Sequence, residues 1–158
     1  MHNSSPSYTV KEALAKLMKF CVYRERCHQE VQDKLNKLQM IPEAQEQIII
    51  KLLEDDFLNE ERFAKAFVRD KFRFQHWGKY RLKRELKQRN ISDYLIKKSL
   101  NQIDSQAYRE SLEQLLEKRL RSIHDTHPLK IKRKVVNHLL RKGYEADLIY
   151  AILREKGL

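Results

Sequence analysis

The residues best suited to binding chemistry lie between Arg69 and Arg89, where basic and aromatic side chains are interleaved. The basic residues of this segment are Arg69, Lys71, Arg73, Lys79, Arg81, Lys83, Arg84, Lys87 and Arg89, and the aromatic ones are Phe72, Phe74, Trp77 and Tyr80. Asp70 and Glu85 are the only acidic residues of this segment. Cationic groups neutralise phosphates and aromatic rings stack on bases, so the segment predicts a surface that binds a polyanion such as nucleic acid.

Three lysines of this segment, Lys79, Lys83 and Lys87, follow one another at i,i+4 steps and share one helix face. Like charges at this spacing repel, so the row is expected to meet an anionic partner. A second basic run contains Lys130, Lys132, Arg133, Lys134, Arg141 and Lys142, and it is expected to extend the same surface. The alternative interpretation of the cations is a solvated basic face. For Phe72 and Trp77 we expect packing between helical units rather than contact with a partner.

Patterns that would indicate an enzyme are missing from the sequence. It has no phosphate-binding glycine loop, no HExxH and no GxSxG. His124 and His127 lack the cysteine or carboxylate companions of a zinc site, and the acidic run 54–56 is interpreted as a solvated helix end. Cys21 and Cys27 fall on different faces of a helix, so two free thiols are expected. We predict a protein without catalytic activity, cofactor or metal.

The composition favours an all-α protein. Only 3 Gly and 3 Pro occur in 158 residues, although strand-rich folds with tight turns need more. A net charge of +11 again indicates a polyanionic partner. No apolar run approaches the length of a membrane span, and the first ten residues do not resemble a secretion signal, so a cytoplasmic location is expected.

A helical unit recurs three times along the chain. Each copy has an apolar i,i+4 pair, and these pairs are Val31/Leu35, Leu82/Leu86 and Val135/Leu139. Four positions after each pair comes a helix-stop residue, Gln39, Asn90 or Gly143. This regular period predicts three tandem three-helix repeats that form an elongated, curved array. The predicted boundaries are a disordered tail at 1–8 and repeats at 9–58, 59–104 and 105–158.

Several residues mark where the helices should begin and end. Thr9 with Glu12 forms a capping-box pattern, Asn59 and Ser92 are favoured N-caps, and Pro42 suits a first helical turn. We expect a loop at 124–128, followed by a helix over 130–142 that Gly143 ends. His28, His76 and His138 are expected on helix surfaces.

Net charge differs among the predicted repeats. It is −1 for residues 9–58, +7 for residues 59–104 and +5 for residues 105–158. The sequence therefore assigns the polyanion-binding surface to the second and third repeats.

An ordered set of residues around the second repeat resembles the RecX family of bacterial regulatory proteins. The set comprises Phe57-Leu58-Asn59-Glu60-Glu61-Arg62-Phe63-Ala64, Val68-Arg69-Asp70, Trp77-Gly78, Arg81-Leu82 through Leu86, and Arg89-Asn90-Ile91. The resemblance extends over nearly the whole chain and is weak only in residues 1–22. It implies structural roles for Phe57, Leu58, Asn59, Arg62, Phe63, Ala64, Gly78, Leu82 and Leu86. Arg62 is equally suited to an ion pair with the acidic run 54–56 and to a partner contact.

The chain departs from the family pattern at four positions. Gln39 and Asn90 replace a stop glycine, Asp56 stands where Gly is common, and Cys27 stands where Ser or Thr often caps a helix. Because glutamine adopts the left-handed conformation less readily than glycine, the turn of the first repeat is expected to be built differently.

The resemblance implies a negative modulator of the RecA recombinase. RecX-like proteins lodge in the groove of the RecA–single-stranded DNA filament and inhibit ATPase, coprotease and strand-exchange activity. Such a role would involve regulation of DNA repair, homologous recombination and the SOS response. The expected contacts are the basic residues of segment 69–89, and duplex DNA is a further expected partner.

Two other functions remain open at this point. Three-helix units also occur in helix-turn-helix regulators that bind duplex DNA sequence-specifically, usually as dimers. The sequence shows no obvious dimerisation helix, which favours a monomer. A protein adaptor with an acidic protein partner would account for the charge without any nucleic acid.

Overall fold

The computed structural model describes residues 7–158, and in this range the chain forms nine α-helices and no strand, which confirms the all-α prediction. The helices are α1 (Val10–Tyr23), α2 (His28–Lys37), α3 (Pro42–Glu54), α4 (Glu60–Gln75), α5 (Lys79–Gln88), α6 (Asp93–Leu100), α7 (Ser105–Ser122), α8 (Pro128–Lys142) and α9 (Ala146–Glu155). Of the predicted disordered tail 1–8, only Ser7 and Tyr8 lie among the described residues. Within the described range, no helix is both long and apolar enough to cross a membrane.

The predicted N-caps begin helices as expected. The side chains of Thr9, Asn59 and Ser92 accept hydrogen bonds from the backbone N–H three residues later. Pro42 lies in the first turn of α3. The prediction for α8 was wrong by two residues, because Pro128 opens this helix rather than closing the loop before it. Proline is favoured there since its missing N–H has no partner in a first turn.

The same left-handed turn follows α2, α5 and α8. Gln39, Asn90 and Gly143 have φ values of 57°, 59° and 101°. The expectation of a different turn at Gln39 was therefore wrong. In all three turns the N–H of the next residue donates to a carbonyl oxygen five residues back: Met40 to Leu35 at 3.2 Å, Ile91 to Leu86 at 3.1 Å, and Tyr144 to Leu139 at 3.2 Å. These bonds close a Schellman-type helix end, and they stabilise the left-handed residue whatever its side chain.

Three hydrophobic clusters succeed one another along the chain. The first contains Leu17, Val31, Leu35, Ile48 and Leu52 among its buried residues. The second contains Phe63, Val68, Leu82, Leu86 and Ile96, and the third contains Leu112, Leu116, Val135, Leu139 and Ile149. Cys27 is an exception, because its side chain packs in the second cluster although it precedes α2. Phe72 contacts both the second and third clusters, which places it between repeats as predicted.

Arg62 joins the first two predicted repeats. Its guanidinium pairs with Glu25 and with Asp56 (3.0 Å), and it also donates to the backbone oxygens of Asp56 (2.9 Å) and Phe57 (3.3 Å). These contacts tie the start of α4 to the α1–α2 loop and to the end of α3. Asp56 has a φ of 60°, the conformation that glycine adopts readily and that the family pattern implies for this position. Of the two roles left open for Arg62, the structure shows the ion pair.

The second and third repeats meet through two glycines. The N–H of Gly78 donates to the Lys142 carbonyl (2.7 Å) and the N–H of Tyr80 donates to the Gly143 carbonyl (3.0 Å). The last carbonyls of α8 thereby satisfy the first amides of α5, and the two helix dipoles meet with opposite signs. A Cβ atom on Gly78 would lie 2.4 Å from the Gly143 carbonyl carbon. This contact therefore requires the absence of a side chain at both positions.

Aromatic and polar side chains surround the glycine contact. The hydroxyl of Tyr108 accepts from the N–H of Lys79 (3.0 Å) and donates to Glu145. The hydroxyl of Tyr144 donates to the His76 carbonyl (2.9 Å) and lies 2.9 Å from the Ser111 oxygen. The second and third repeats are thus connected by hydrogen bonds as well as by apolar packing. These contacts fix the position of α5 relative to α8, and both helices carry basic residues.

Candidate nucleic-acid interface

The basic residues of segment 69–89, which belong to α4 and α5, face three directions rather than one. The lysine row Lys79, Lys83 and Lys87 lines a groove of about 460 Å³ between α5 and α6, and Lys97 of α6 faces the same groove. Asp93 is the acidic residue in the lining, and its Oδ1 lies 3.7 Å from Lys87 Nζ with both side chains exposed. An exposed pair of this kind offsets little charge. The lysine row therefore retains a net positive charge.

Lys71 of α4, Arg81 of α5 and Arg89 at the end of α5 lie against aromatic rings. Lys71 Nζ is 5.1 Å and the Arg81 guanidinium carbon is 4.2 Å from the centroid of the Trp77 ring. The Arg89 guanidinium is 4.8 Å from the Phe67 centroid and pairs with Glu85 at 3.1 Å. These cations are partly buried and already have partners, so their first role is packing.

Arg69 and Arg73 face a third direction. Both line a groove of about 500 Å³ between α4 and α7, together with Phe72 and His76. Arg69 pairs with its neighbour Asp70 at 3.1 Å, and the Arg73 guanidinium lies 5.3 Å from the Phe74 centroid. The groove also contains Asp104 and Glu110, so its charge is mixed.

Arg84 and Tyr80 project from the outward side of α5, where they lie beside Lys83 and Lys87. Tyr80 is 63 % exposed and Phe74 is 66 % exposed. Of the predicted contact residues, Lys83, Arg84 and Lys87 form one exposed set, whereas Lys79 of the same row is half-buried. The single helix surface implied by the sequence is thus divided by the packing of α4, α6 and α8 around α5.

The second basic run is divided in a similar way. Lys130, Arg133 and Arg141 are exposed, while Lys134 pairs with Asp125 at 3.3 Å. Lys132 Nζ lies 5.9 Å from the Tyr150 ring centroid, and Lys142 Nζ donates to the Gln75 carbonyl at 3.3 Å. Lys142 therefore reaches the end of α4, whereas Lys130 and Arg133 lie at the far end of α8. The residues of the second run therefore do not form one continuous surface.

A cationic cluster at the junction of the repeats was missed by the sequence analysis. Lys142 lies close enough to Arg81 and Lys118 for their charges to add to its burial, and together these effects lower the pKa of the Lys142 ammonium. The pKa of His138 is lowered by burial and by Arg119, Lys142 and Arg141. The residues of this cluster are Arg81, Lys118, Arg119, His138, Arg141 and Lys142. They come from three helices, so no sequence spacing reveals their proximity.

The residues to which the resemblance gives structural roles lie mostly in the interior. Leu58, Phe63, Ala64, Leu82 and Leu86 are each at most 4 % exposed. Phe57 is half-buried against the first cluster, Asn59 caps α4, and Gly78 makes the contact with Gly143.

The prediction of a helix-surface position for His76 was wrong. His76 ends α4 in a left-handed conformation, with a φ of 56°, and its Nδ1 lies 3.1 Å from the Ser111 oxygen. It is therefore part of the junction between the second and third repeats. Across residues 7–158, no group of three or more metal-binding side chains is present.

Comparisons with known proteins agree with this architecture. The family model for the second three-helix domain of RecX matches residues 59–100, and the model for the third three-helix domain matches residues 107–153. Regulatory protein RecX of Bacillus cytotoxicus is 27 % identical over 146 residues, and that of Bacillus mycoides is 28 % identical over the same length. Each alignment covers 92 % of this chain and 54 % of the relative, so the chain spans about half the length of these curated relatives.

Two crystal structures have the same fold. The structure of a regulatory protein RecX superposes with a TM-score of 0.84 at 20 % identity, covering 92 % of this chain and 71 % of the other. The structure of RecX from Lactobacillus salivarius superposes with a TM-score of 0.80 at 26 % identity, covering 92 % and 95 %. Since the two domain models together match more than half of its residues, the chain belongs to the RecX family of regulatory proteins.

Proposed function

We propose that the protein is a negative modulator of RecA that binds in the groove of the RecA–single-stranded DNA filament. In this proposal it inhibits ATP hydrolysis, coprotease activity and strand exchange, and acts without a cofactor as a monomer. The observation that carries the proposal is the lysine row of α5, in which Lys83 and Lys87 are exposed and the helix is held in position by the contacts between the second and third repeats. A cationic surface on an array of helices suits a groove that contains phosphates.

The lysine row contributes the main electrostatic contact. Lys83 and Lys87 are exposed, and the only ion pair that either makes within residues 7–158 is the weak one between Lys87 and Asp93. Lys79 differs from them, because its ammonium lies 5.0 Å from the Tyr108 ring centroid and its N–H is bonded to the Tyr108 hydroxyl. Lys83 and Lys87 are therefore the positions where charge can be changed without disturbing the junction.

The double variant K83E/K87E tests the contact. It is expected to need about tenfold more protein to inhibit the single-strand-dependent ATPase of RecA, a loss of about 1.4 kcal/mol. The variant K11E/K37E is the matched control, because it reverses two exposed lysines of the first repeat that have no ion pair in the described part of the chain. Full inhibition by a folded K83E/K87E protein would contradict the assignment of the contact to α5.

DNA-binding and RecA ATPase measurements at several salt concentrations separate the alternatives. A sequence-specific duplex-DNA regulator would bind one duplex sequence tightly and leave the RecA ATPase unchanged. A protein adaptor would bind no nucleic acid even at low salt. Filament inhibition that weakens as salt is raised distinguishes the proposed modulator from both.

A further inference from the structure

The first repeat contains a pocket that neither its charge nor its sequence spacing indicates. α1, the loop 24–27 and α2 line a shallow, open pocket with a volume of about 510 Å³. Its basic lining residues are Lys16, Lys19, Arg26 and Lys34, and its aromatic ones are Tyr8, Phe20 and Tyr23. No carboxylate is among the described residues that line it.

Several basic residues of this repeat lie close together. Residues 9–58 contain 8 basic and 9 acidic side chains, so the overall charge gives no indication of a binding surface. Half of these basic residues nevertheless converge on the one pocket. A local positive potential therefore exists in a repeat with almost no net charge, and an anionic group would be attracted to this point.

Arg26 lines the pocket with a side chain that is held in place by several contacts. Its side chain is only 8 % exposed, and its Nε donates to the Phe20 carbonyl at 2.9 Å. The guanidinium carbon lies 3.6 Å from the Phe20 ring centroid, and Nη1 lies 3.3 Å from Glu30. The guanidinium group is thus held against the Phe20 ring without a ligand. Its remaining N–H groups can donate to an acceptor.

Tyr23 supplies an open aromatic surface at the edge of the pocket. It is 83 % exposed, and the Arg26 guanidinium carbon is 5.9 Å from its ring centroid. Lys16 Nζ lies 5.0 Å from the Tyr8 ring centroid and Lys34 Nζ lies 5.8 Å from the Phe20 ring centroid, so two ammonium groups lie beside other aromatic rings that line the same pocket. Flexible cations around a stackable ring are the arrangement that binds unpaired nucleotides.

We infer that this pocket binds a nucleotide unit of single-stranded nucleic acid. The base stacks on Tyr23 beside the Arg26–Phe20 pair, and the flanking phosphates contact Lys16, Lys19 and Lys34. The inference goes beyond the proposed function, because it requires neither RecA nor any residue of α4 and α5. It places a nucleic-acid contact on the first repeat, for which the charge distribution along the sequence predicts none.

The binding of a labelled oligothymidylate to the whole chain, followed by fluorescence anisotropy without RecA, tests the inference. The variant Y23A is expected to weaken binding by about tenfold, the loss typical of one stacked base. Y94A is the matched control, since Tyr94 is also a highly exposed tyrosine with a lysine near its ring but lies outside the pocket. Equal affinities of Y23A and Y94A would overturn the inference.

The phosphate contacts have their own readout. K16Q/K19Q is expected to reduce the slope of log affinity against log salt by about 1.4, or about 0.7 for each lost phosphate contact on a single strand. K11Q, on the same helix but outside the pocket, should leave the slope unchanged. An unchanged slope in K16Q/K19Q would contradict the proposed contacts of Lys16 and Lys19 with phosphates.

Two further probes identify the occupant. An abasic oligonucleotide keeps the phosphates but offers no base, so wild-type protein should bind it about tenfold more weakly than oligothymidylate. Equal binding of both, or displacement of the oligonucleotide by an equal charge of polyglutamate, would overturn a nucleotide site.

Measuring Y23A in the K83E/K87E background keeps this test separate from that of the proposed function. A tenfold effect there, with no RecA inhibition by wild-type protein, would support the nucleotide pocket and refute the filament proposal. RecA inhibition by wild-type protein with no effect of Y23A on oligonucleotide binding would refute the pocket and support the filament proposal.

Discussion

Replacing Gly78 with alanine tests how the second and third repeats are joined. The new Cβ would lie 2.4 Å from the Gly143 carbonyl carbon and 2.5 Å from both the Gly143 oxygen and the Tyr144 nitrogen. All three atoms belong to the backbone, so no side-chain rotation can relieve the contact. Gly78 has a φ of −79°, which alanine adopts freely, and the cost therefore comes from the contact alone.

The magnitude follows from the two interactions that must change. Overpacking against an immovable backbone costs about 3 kcal/mol. Lengthening the hydrogen bonds from Gly78 to Lys142 and from Tyr80 to Gly143 costs up to about 1 kcal/mol for each. At about 2–4 °C for each kcal/mol in a chain of this size, G78A is expected to lower the Tm by roughly 10 °C.

Thermal unfolding followed by far-UV circular dichroism measures this shift. Fluorescence of Trp77, the one tryptophan of the chain, reports on the residue next to the junction. G157A is the control for backbone conformation, because Gly157 has a φ of 74° but no atom within 4 Å of the added Cβ. It should cost only about 1 kcal/mol. A Tm of G78A equal to that of the wild type, or no lower than that of G157A, would refute the close contact between the repeats.

Three further predictions concern the same connections. G143A should destabilise more than G78A in urea unfolding, because its Cβ would lie 2.4 Å from Arg81 Cβ and its φ of 101° is unfavourable for alanine. R62A should lower the free energy of unfolding by about 2 kcal/mol through loss of its bonds to Glu25, Asp56 and Phe57, whereas R69A, which breaks an exposed pair, should change it by less than about 0.5 kcal/mol. Burial raises the pKa of Tyr144 to about 12, and burial with the bond to Glu145 raises the pKa of Tyr108. Their stabilising contribution is present below about pH 10, the value for unfolded tyrosine, and falls by about 1.4 kcal/mol per pH unit for each tyrosine as the pH rises toward 12. Urea midpoints between about pH 9 and pH 11 should therefore decrease less steeply in Y144F than in the wild type. Equal slopes would contradict this assignment.

Local sequence signals predicted the helices well. Thr9, Asn59 and Ser92 precede helices because each has an extended backbone and a side-chain oxygen. That oxygen accepts a hydrogen bond from a first-turn N–H that has no partner within the helix, and this depends on a few neighbouring residues only. The i,i+4 pair Leu82/Leu86 identified the buried side of α5 for a similar reason. Pro128 was assigned to the wrong element because proline both ends loops and opens helices, and its local sequence fits either role.

The contacts between repeats could not be read from the sequence. The junction of Gly78 with Gly143 depends on how two helix ends approach each other, and the residues are 65 positions apart. The same limit applies to the basic residues. Lys83 and Arg81 are two positions apart, yet one is exposed in the lysine row and the other packs on Trp77. Helical spacing predicts that the two side chains point in different directions. Which of them is exposed depends on where the neighbouring helices pack.

The proposed modulation of RecA is tested most directly by the single-strand-dependent ATPase of RecA, with this protein added to preformed filaments at two salt concentrations. We predict inhibition at substoichiometric amounts, weaker at the higher salt, and a shift of about tenfold to higher protein concentration for K83E/K87E. An unaffected ATPase at both salt concentrations, with a protein that is folded and still binds DNA, would contradict it.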